Sequence, residues 1–429
     1  MNLVLWVATV VLLIPVAVVC IEIAAASFLP SKQISIDRLC ERPRATILIP
    51  AHDEAEVIGM TLASVRRQMG EHDRLVVVAD NCADATAEIS RRAGAEVLER
   101  FDLEHCGKGF ALQHGVKSLD GDPPPIVVLL DADVTLREGA IDALVRQAHQ
   151  TDCPAQGVYI LREAPSPDGL DFVSHLAFVV RNQVRPLGLA RLNGPCPLFG
   201  CGMAFPWLIL SGASLASANI VEDMALGLDL ALAGHAAMLC IDASIDGVFP
   251  KAADSANTQR RRWAHGHLMM IFTKVPAAFF ASLVTRRPLA AVLAADLFVP
   301  PLSYHLLMLG MMSVVAGAAS LLTGASMAPA FTLMGGAAAL MVFLLIAWFR
   351  FSPSSFKIQL LLSVPVYIVK KLPLYFHFFT RNRETAWRRT GREVSISGAV
   401  GAVDADFSPE PVSDGEIAAE YNHPHHSEK

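Results

Sequence analysis

Two stretches without charged residues, one near each end of the chain, constrain the fold more than any other feature of this sequence. Leu3–Ile21 contains nineteen residues without Asp, Glu, Lys or Arg, enough for a helix to cross the ~30 Å apolar core of a bilayer. No basic residue precedes the run, which favours a retained anchor over a cleaved signal peptide, although Ala24–Ala26 resembles a cleavage site. We therefore predict a transmembrane helix within residues 1–30. The basic residues after it place the next domain in the cytoplasm.

The second stretch predicts a pair of transmembrane helices within residues 288–350. Between Asp296 and Arg350 the sequence has no Asp, Glu, Lys or Arg, and a small polar segment at 323–326 divides this stretch. Spans near 297–322 and 327–349 fit the pattern. Because both flanks are basic, we expect the pair to leave and return to the cytoplasmic side.

The region after these spans predicts a surface helix and then a tail. The apolar stretch at 358–369 has twelve residues, which is short for a span. Lysines and aromatic residues around it favour an amphipathic interfacial helix over residues 355–380, with a fourth span as the alternative. Residues 395–429 are acidic and have few large apolar side chains, which is typical of a disordered tail.

Composition excludes several classes of protein. The formal charge is 35 − 41 = −6, so a nucleic-acid partner is not expected. The eight cysteines form no CxxC pair, which leaves a disulfide framework or a zinc site without support. Only 18% of residues are charged and 53% are hydrophobic, as expected when membrane helices accompany a soluble domain.

The middle of the chain, residues 44–265, predicts an α/β domain. Short apolar runs at 46–50, 75–79, 96–98 and 126–130 read as strands, and segments with helical spacing separate them. This alternation predicts a Rossmann-like, mostly parallel sheet covered by helices on both faces. Ligands of such sheets bind at the carboxyl ends of the strands.

Acidic residues follow three of these strands. Glu54 comes after the first strand, Asp80 after the second, and Asp131 and Asp133 after the strand at 126–130. Each could be an ordinary solvated turn. Two carboxylates two residues apart can also converge on Mg²⁺ or Mn²⁺, which prefer oxygen ligands. Such a cation would neutralise a leaving diphosphate.

Further motifs each have a structural and a chemical interpretation. Lys108 lies between two glycines before a helix. It is either a solvated lysine of a turn or a contact to a phosphate group. Glu222 and Asp223 open a helix, where acids are usually caps but one could be a general base. The cluster Gln259–Trp263 is either a juxtamembrane basic signal or a set that holds a diphosphate and stacks on a sugar. The turn at 200–203 is small and tight.

The order of these motifs carries more information than any one of them. IPAHDE, VVVADNCADATAEI, GKGFAL, LLDADV, GCGMAF, VED and QRRRW occur in this succession and are followed by paired spans. The set resembles a membrane-embedded family 2 glycosyltransferase, the group that includes synthases of cellulose, hyaluronan and poly-N-acetylglucosamine. The resemblance covers roughly residues 44–265. It implies a GT-A fold, a nucleotide-sugar donor, expected to be a UDP-sugar, and Mg²⁺ or Mn²⁺ as cofactor.

The resemblance also implies a role for each matching residue. Asp223 would be the catalytic base, and Asp131 and Asp133 would hold the metal. Departures include Ala79, which stands where the family often has a first Asp. The donor-binding residues would be Pro50, Glu54, Asp80, Lys108, Asp131, Gln259, Arg262 and Trp263. The acceptor-binding residues would be Gly200, Cys201, Gly202, Glu222 and Trp263.

The sequence thus predicts an inverting hexosyltransferase of the inner (plasma) membrane with a cytoplasmic catalytic domain. Its acceptor would be a saccharide or a lipid-linked molecule, in exopolysaccharide or cell-envelope polysaccharide biosynthesis. Membrane lipids and polysaccharide-assembly proteins are the expected partners. A processive synthase that extrudes a β-linked polymer is the alternative within the same class, and a catalytically inactive membrane scaffold is the alternative outside it.

Overall fold

The structure is a computed structural model that describes residues 2–30, 36–37, 39–162, 169–216, 221–248, 253–351 and 363–380. The strands in these residues are β1 (Ala45–Ala51), β2 (Arg74–Asp80), β3 (Glu96–Arg100), β4 (Ile126–Leu129), β5 (Val134–Leu136), β6 (Ala155–Arg162), β7 (Met203–Pro206) and β8 (Met238–Val248). The helices are α1 (Asn2–Phe28), α2 (Ile58–Arg66), α3 (Thr86–Arg92), α4 (Lys108–Ser118), α5 (Ala140–Thr151), α6 (Gly169–Val179), α7 (Arg185–Arg191), α8 (Trp207–Ser211), α9 (Glu222–Ala233), α10 (Ala253–Phe272), α11 (Lys274–Val284), α12 (Pro288–Leu297), α13 (Leu302–Thr323), α14 (Ala328–Phe351) and α15 (Ser363–Phe379). A π-helical turn, Val180–Val184, joins α6 to α7.

One mixed sheet organises the α/β domain, with strand order β3-β2-β1-β4-β7-β6-β8-β5. β1 lies parallel to β2 and β4, and β2 lies parallel to β3. β7 is antiparallel to both of its neighbours, and β5 is antiparallel to β8. The predicted parallel arrangement therefore describes the half of the sheet that contains β1 to β4, and the other half is mixed.

The two faces of the sheet are covered by different helices. In β1, Ile47 and Ile49 point into the core formed with α2 and α5, whereas Leu48 points into the core formed with α4. This follows from the period of two in a strand, which sends successive side chains to opposite faces. α4 lies close to the sheet at Gly115, where a Cβ would sit 2.6 Å from a methyl carbon of Leu48.

Three helices of the described residues are long and apolar enough to cross a membrane: α1, α13 and α14. They correspond to the spans that the sequence predicted. A fourth candidate combines the part of α10 from Arg261 with α11, which meet at a bend of 43°. Of the predicted interfacial helix, 363–380 lies in the described residues and forms α15, and its position at the interface stays a prediction. The predicted tail, 395–429, lies outside the described residues.

The helix α1 is joined to the α/β domain by close backbone packing and by buried charges. At Gly188 of α7, a Cβ would sit 2.0 Å from the carbonyl oxygen of Glu22, so the two helices touch through their main chains. Arg185 donates from Nε to Glu22 Oε2 at 2.6 Å and from Nη2 to Asp296 Oδ1 at 2.6 Å. Arg350 at the end of α14 donates to the carbonyl of Ser27, which brings the ends of α1 and α14 together.

Candidate functional site

A cavity of about 500 Å³ opens at the carboxyl ends of β1, β2 and β4. These strands are parallel and in register, so the loops after them meet at one edge of the sheet. Most of the residues that the sequence singled out line this cavity. They are Pro50, Glu54, Asp80, Lys108, Asp131, Asp133, Gly200, Glu222, Asp223, Arg262 and Trp263.

Lys108 is fixed by two partners from other elements. Its Nζ donates to the carboxylate of Asp131 and, at 2.8 Å, to the carbonyl oxygen of Gly200. Burial lowers the pKa of Lys108, but the charges of Asp131 and Glu222 outweigh burial and leave the pKa raised. The ammonium group therefore stays charged in the wall of the cavity, where it can attract a phosphate group.

The glycines of the turn before β7 allow the backbone to pass close to these charged groups. Gly200 has φ +82°, and a Cβ there would sit 3.3 Å from Asp223 Oδ2 and 3.5 Å from Lys108 Nζ. Cys201 is fully buried and accepts a hydrogen bond from the backbone N–H of Asp131 at 3.3 Å. Cys201 and Gly202 are not among the residues that line the cavity. They belong to the turn but do not line the cavity, and their predicted acceptor contacts stay predictions.

Glu222 and Asp223 are the first two residues of α9, and both reach the cavity. Burial and the neighbouring Asp223 raise the pKa of Glu222 to about 7, while Lys108 opposes the shift. Burial also raises the pKa of Asp223, which a backbone N–H and the charge of Arg181 partly offset. A carboxylate with a raised pKa is a stronger base than an exposed one, as general base catalysis requires.

Arg262 and Trp263 enter the cavity from α10. The ring of Trp263 lies 6.2 Å, centroid to centroid, from the ring of Phe178. This pair forms an aromatic wall on the side of the cavity towards the membrane helices. The side chain of Gln259, in the same helix, lies outside the described residues.

Five further lining residues were not expected from the sequence. Tyr159 comes from β6, Phe178 from α6, Arg181 and Asn182 from the π-helical turn, and Phe199 from the loop before β7. None belongs to a recognisable motif. Of these five, only Arg181 could have been noticed in the sequence, because it is a charged residue within a largely apolar segment.

Asp80 is held by a neighbouring strand. It is buried, and Arg100 of β3 donates from Nη1 to its Oδ1 at 2.5 Å. Its backbone carbonyl accepts from His52 Nδ1 at 2.7 Å. The carboxylate therefore has a fixed orientation at the end of the cavity nearest β2.

Asp131 and Asp133 fit a divalent metal ion. Both carboxylates line the same cavity and are two residues apart, at the end of β4. Two carboxylates completed by substrate phosphates are a common site for Mg²⁺ or Mn²⁺. The bond from Lys108 to Asp131 leaves the remaining lone pairs of that carboxylate for a metal ion.

A second acidic group, Asp53, Cys82 and Asp84, has ligand atoms within 4.8 Å of one another. Its carboxylates are used by the chain itself: Asp53 accepts from the N–H of Ala83, and Asp84 accepts from the N–H of Ala55. These bonds hold the loops after β1 and β2 together, which explains why the two carboxylates lie close to each other.

Residues 43–266, just over half of the chain, match the family described as "Glycosyltransferase like family 2". Among curated proteins, a 4,4'-diaponeurosporenoate glycosyltransferase of Staphylococcus aureus is 35% identical over 106 residues. That alignment covers 24% of this chain and 27% of the relative, so the chain spans about a quarter of the length of the curated proteins it matches.

Solved structures of glycosyltransferases also match. A mannosyltransferase from Pyrobaculum calidifontis, solved with GDP-Man and Mn²⁺, is 19% identical, covers 80% of this chain and 100% of its own, and has a TM-score of 0.47. Glucosyl-3-phosphoglycerate synthase from Mycobacterium tuberculosis, solved with Mn²⁺, UDP and phosphoglyceric acid, is 19% identical, covers 53% and 78%, and has a TM-score of 0.37.

Proposed function

Because the chain belongs to glycosyltransferase family 2, we propose that it transfers a hexose, with inversion, from a nucleotide-diphosphate sugar to an acceptor at the cytoplasmic face of a membrane. The observation that carries this proposal is the cavity itself. In it, the ammonium of Lys108 and the carboxylates of Asp131 and Asp133 share one space with Asp223. The groups proposed to hold the leaving diphosphate and the proposed base are thus in one cavity.

The donor would lie along the carboxyl ends of the strands. Glu54 and the fixed carboxylate of Asp80 would contact the nucleoside. Lys108 and Arg262 would contact the diphosphate, because both are cations that line the cavity. A divalent ion on Asp131 and Asp133 would stabilise the negative charge of the departing nucleoside diphosphate. Gln259, which the family motif adds to this set, would assist from α10.

The acceptor would approach from the opposite side of the sugar. Asp223 would take the proton of the acceptor hydroxyl, whose oxygen attacks the anomeric carbon while the bond to the diphosphate breaks. One displacement inverts the configuration at that carbon. Trp263 would stack on the sugar, since its ring faces the cavity. Glu222, beside the base, would contact the acceptor.

The chain is associated with a membrane through its three candidate spans. The cytoplasmic orientation, a UDP-sugar as donor and a role in envelope polysaccharide assembly are parts of the proposal. The positions of Ser27 and Arg350 support a common side for the ends of α1 and α14, as the basic flanks of the spans require. A processive synthase would use the same residues and differ in the length of its product.

A donor panel tests the proposal. Detergent-purified wild type, Asp133→Ala and the exposed control Asp120→Ala would be incubated with UDP- and GDP-sugars, with Mn²⁺, Mg²⁺ or EDTA. We expect metal-dependent turnover of one donor that Asp133→Ala loses by roughly 10²-fold or more, as for removal of charge stabilisation at a leaving group. Asp120→Ala should match wild type. If the wild type binds none of these donors, the result would contradict the proposal and favour an inactive scaffold.

A further inference from the structure

A second, smaller cavity of about 140 Å³ lies next to the first. The two cavities share Phe178, Arg181 and Trp263 in their walls. Arg181 belongs to the π-helical turn Val180–Val184, and turns of this kind often occur at functional sites. One arginine therefore borders both the cavity that contains Asp223 and the space beyond it.

The lining of the second cavity is cationic. Arg181, Arg185 and Lys371 all contribute to it, and none of the described residues that line it is acidic. The other polar groups of the lining are hydroxyls and one imidazole, which belong to Ser174, His267, Ser303, Tyr367 and Tyr375. Hydroxyl groups can donate hydrogen bonds to an anion. The cavity thus combines positive charge with hydrogen-bond donors.

The charge of Arg185 is already balanced by the chain itself. Its guanidinium donates to the carboxylates of Glu22 and Asp296, at 2.6 Å in each case. Burial lowers the pKa of Arg185, but the charges of Asp296 and Glu22 outweigh burial and leave the pKa raised. Arg185 therefore contributes little to the binding of a further anion.

Arg181 has no comparable partner in the part of the chain that the structure describes. Its one hydrogen bond there runs from Nη2 to the sulfur of Met224 at 4.0 Å, and a thioether is a weak acceptor. Burial lowers the pKa of Arg181. The charge of Asp223 opposes this shift and that of Arg185 adds to it, so the pKa remains lowered. The guanidinium thus has N–H donors and a positive charge that the protein leaves largely unmatched.

This imbalance distinguishes between the ligands that the second cavity could take. A neutral sugar can form hydrogen bonds with the hydroxyls of the lining, but it leaves the charge of Arg181 unbalanced. A carboxylate or phosphate group balances a buried cation and forms charge-assisted hydrogen bonds, which are roughly twice as strong as neutral ones. An anionic ligand therefore suits the cavity better than a neutral one.

We propose that the second cavity binds an anionic group of the acceptor, a carboxylate or a phosphate, while the reacting hydroxyl of the same molecule lies in the first cavity. Arg181 donates hydrogen bonds to the anionic group, and Lys371 adds positive charge from α15. The hydroxyl gives its proton to Asp223, its oxygen bonds to the anomeric carbon, and the nucleoside diphosphate leaves. This inference rests on the proposed function and narrows its acceptor to an acidic molecule.

Equilibrium binding of three probes tests the anion site. Glucuronate, glucose 6-phosphate and glucose share one sugar ring and differ in the group at carbon 6. Each radiolabelled probe is dialysed against the full-length protein in phosphatidylcholine nanodiscs, with Mn²⁺ and saturating UDP, or GDP if the donor panel selects it. We expect at least one of the two anions to bind roughly tenfold more tightly than glucose, as a charged hydrogen bond provides. The better anion identifies the group.

Three variants locate the site. Arg181→Gln removes the unbalanced charge and should reduce the affinity for the anions to that for glucose. Lys371→Gln should lower the affinity for the anions several-fold, because a second cation of the lining is lost. Lys370→Gln is the same change one residue away, at an exposed position outside the lining, and should bind all three probes as the wild type does.

The outcomes separate this inference from the proposed function. Equal binding of the three probes by the wild type would overturn the anion site, and so would a preference for anions that persists in Arg181→Gln. Should Arg181→Gln misfold, the comparison of Lys371→Gln with Lys370→Gln decides in its place. Binding of the nucleoside diphosphate is measured in the same samples. Its absence defeats the proposed function, whereas a bound nucleotide without any preference for anions defeats only the anion site.

Discussion

Asp223 and Glu222 are neighbours in the chain, yet different charges act on them. Arg181 favours the ionised form of Asp223, whereas Asp223 itself disfavours the ionised form of Glu222. Lys108 acts on both carboxyls and favours their ionised forms. The difference agrees with the proposed roles, in which Asp223 is the base and Glu222 contacts the acceptor. The one beside the arginine is suited to accept a proton, and the other is suited to donate or share one.

The role of Asp223 as base is tested by Asp223→Asn, which keeps shape but cannot accept the proton. We expect turnover to fall by roughly 10²–10⁴-fold, the usual contribution of a positioned base, while the dissociation constant of the donor stays close to that of wild type. Asp229→Asn provides a matched control on the exposed side of α9, where Asp229 pairs with Lys274. Loss of donor binding together with turnover would contradict the base role.

Glu222 predicts a dependence of stability on pH. Its pKa is raised from 4.5 to about 7 in the folded protein, so between these values the folded state holds a proton that the unfolded state has released. The stabilisation from this group is fully present below the lower value and is lost as pH rises through the upper one. Glu222→Gln should remove that part of the slope. Thermal melting of both proteins across this window measures it, and identical slopes would refute the assignment.

At the scale of elements, the sequence predicts the first half of the sheet closely. The run at 46–50 became β1, the run at 75–79 became β2, and the helix expected at the Gly-Lys-Gly motif is α4, which begins at Lys108. These elements could be predicted because apolar runs and the turns between them are local signals. The acids after these strands then met at one edge, as parallel strands require.

The second half of the sheet could not be predicted in this way. β5 is three residues long and pairs with β8, more than a hundred residues later, and no local pattern encodes that register. The same limit applies to the site. Tyr159 and Phe178 reach the cavity because β6 and α6 are placed by tertiary packing, so their roles depend on contacts that no motif records.

At the scale of the whole molecule, a buried charge cluster connects the α/β domain to the apolar helices. Glu22 of α1, Arg185 of α7 and Asp296 of α12 are each less than one tenth exposed. Their bonds join a membrane helix, an element next to the active site and the segment that leads into α13. The cluster therefore holds α7, next to the cavity, against α1 and α12.

Removing the central arginine tests this connection. Arg185→Ala leaves two buried carboxylates without their cation, and breaking a buried pair in this way costs ~3–5 kcal/mol. We expect a large fall in melting temperature in detergent. Arg92→Ala removes an arginine that is 75% accessible and whose partner, Glu88, is 61% accessible, so it should change stability by less than ~1 kcal/mol. Replacing all three charges with apolar residues (Glu22→Leu, Arg185→Met and Asp296→Leu) should recover most of the loss, since no buried charge then remains unpaired. Equal melting of Arg185→Ala and Arg92→Ala would show that the cluster does not hold the two parts together.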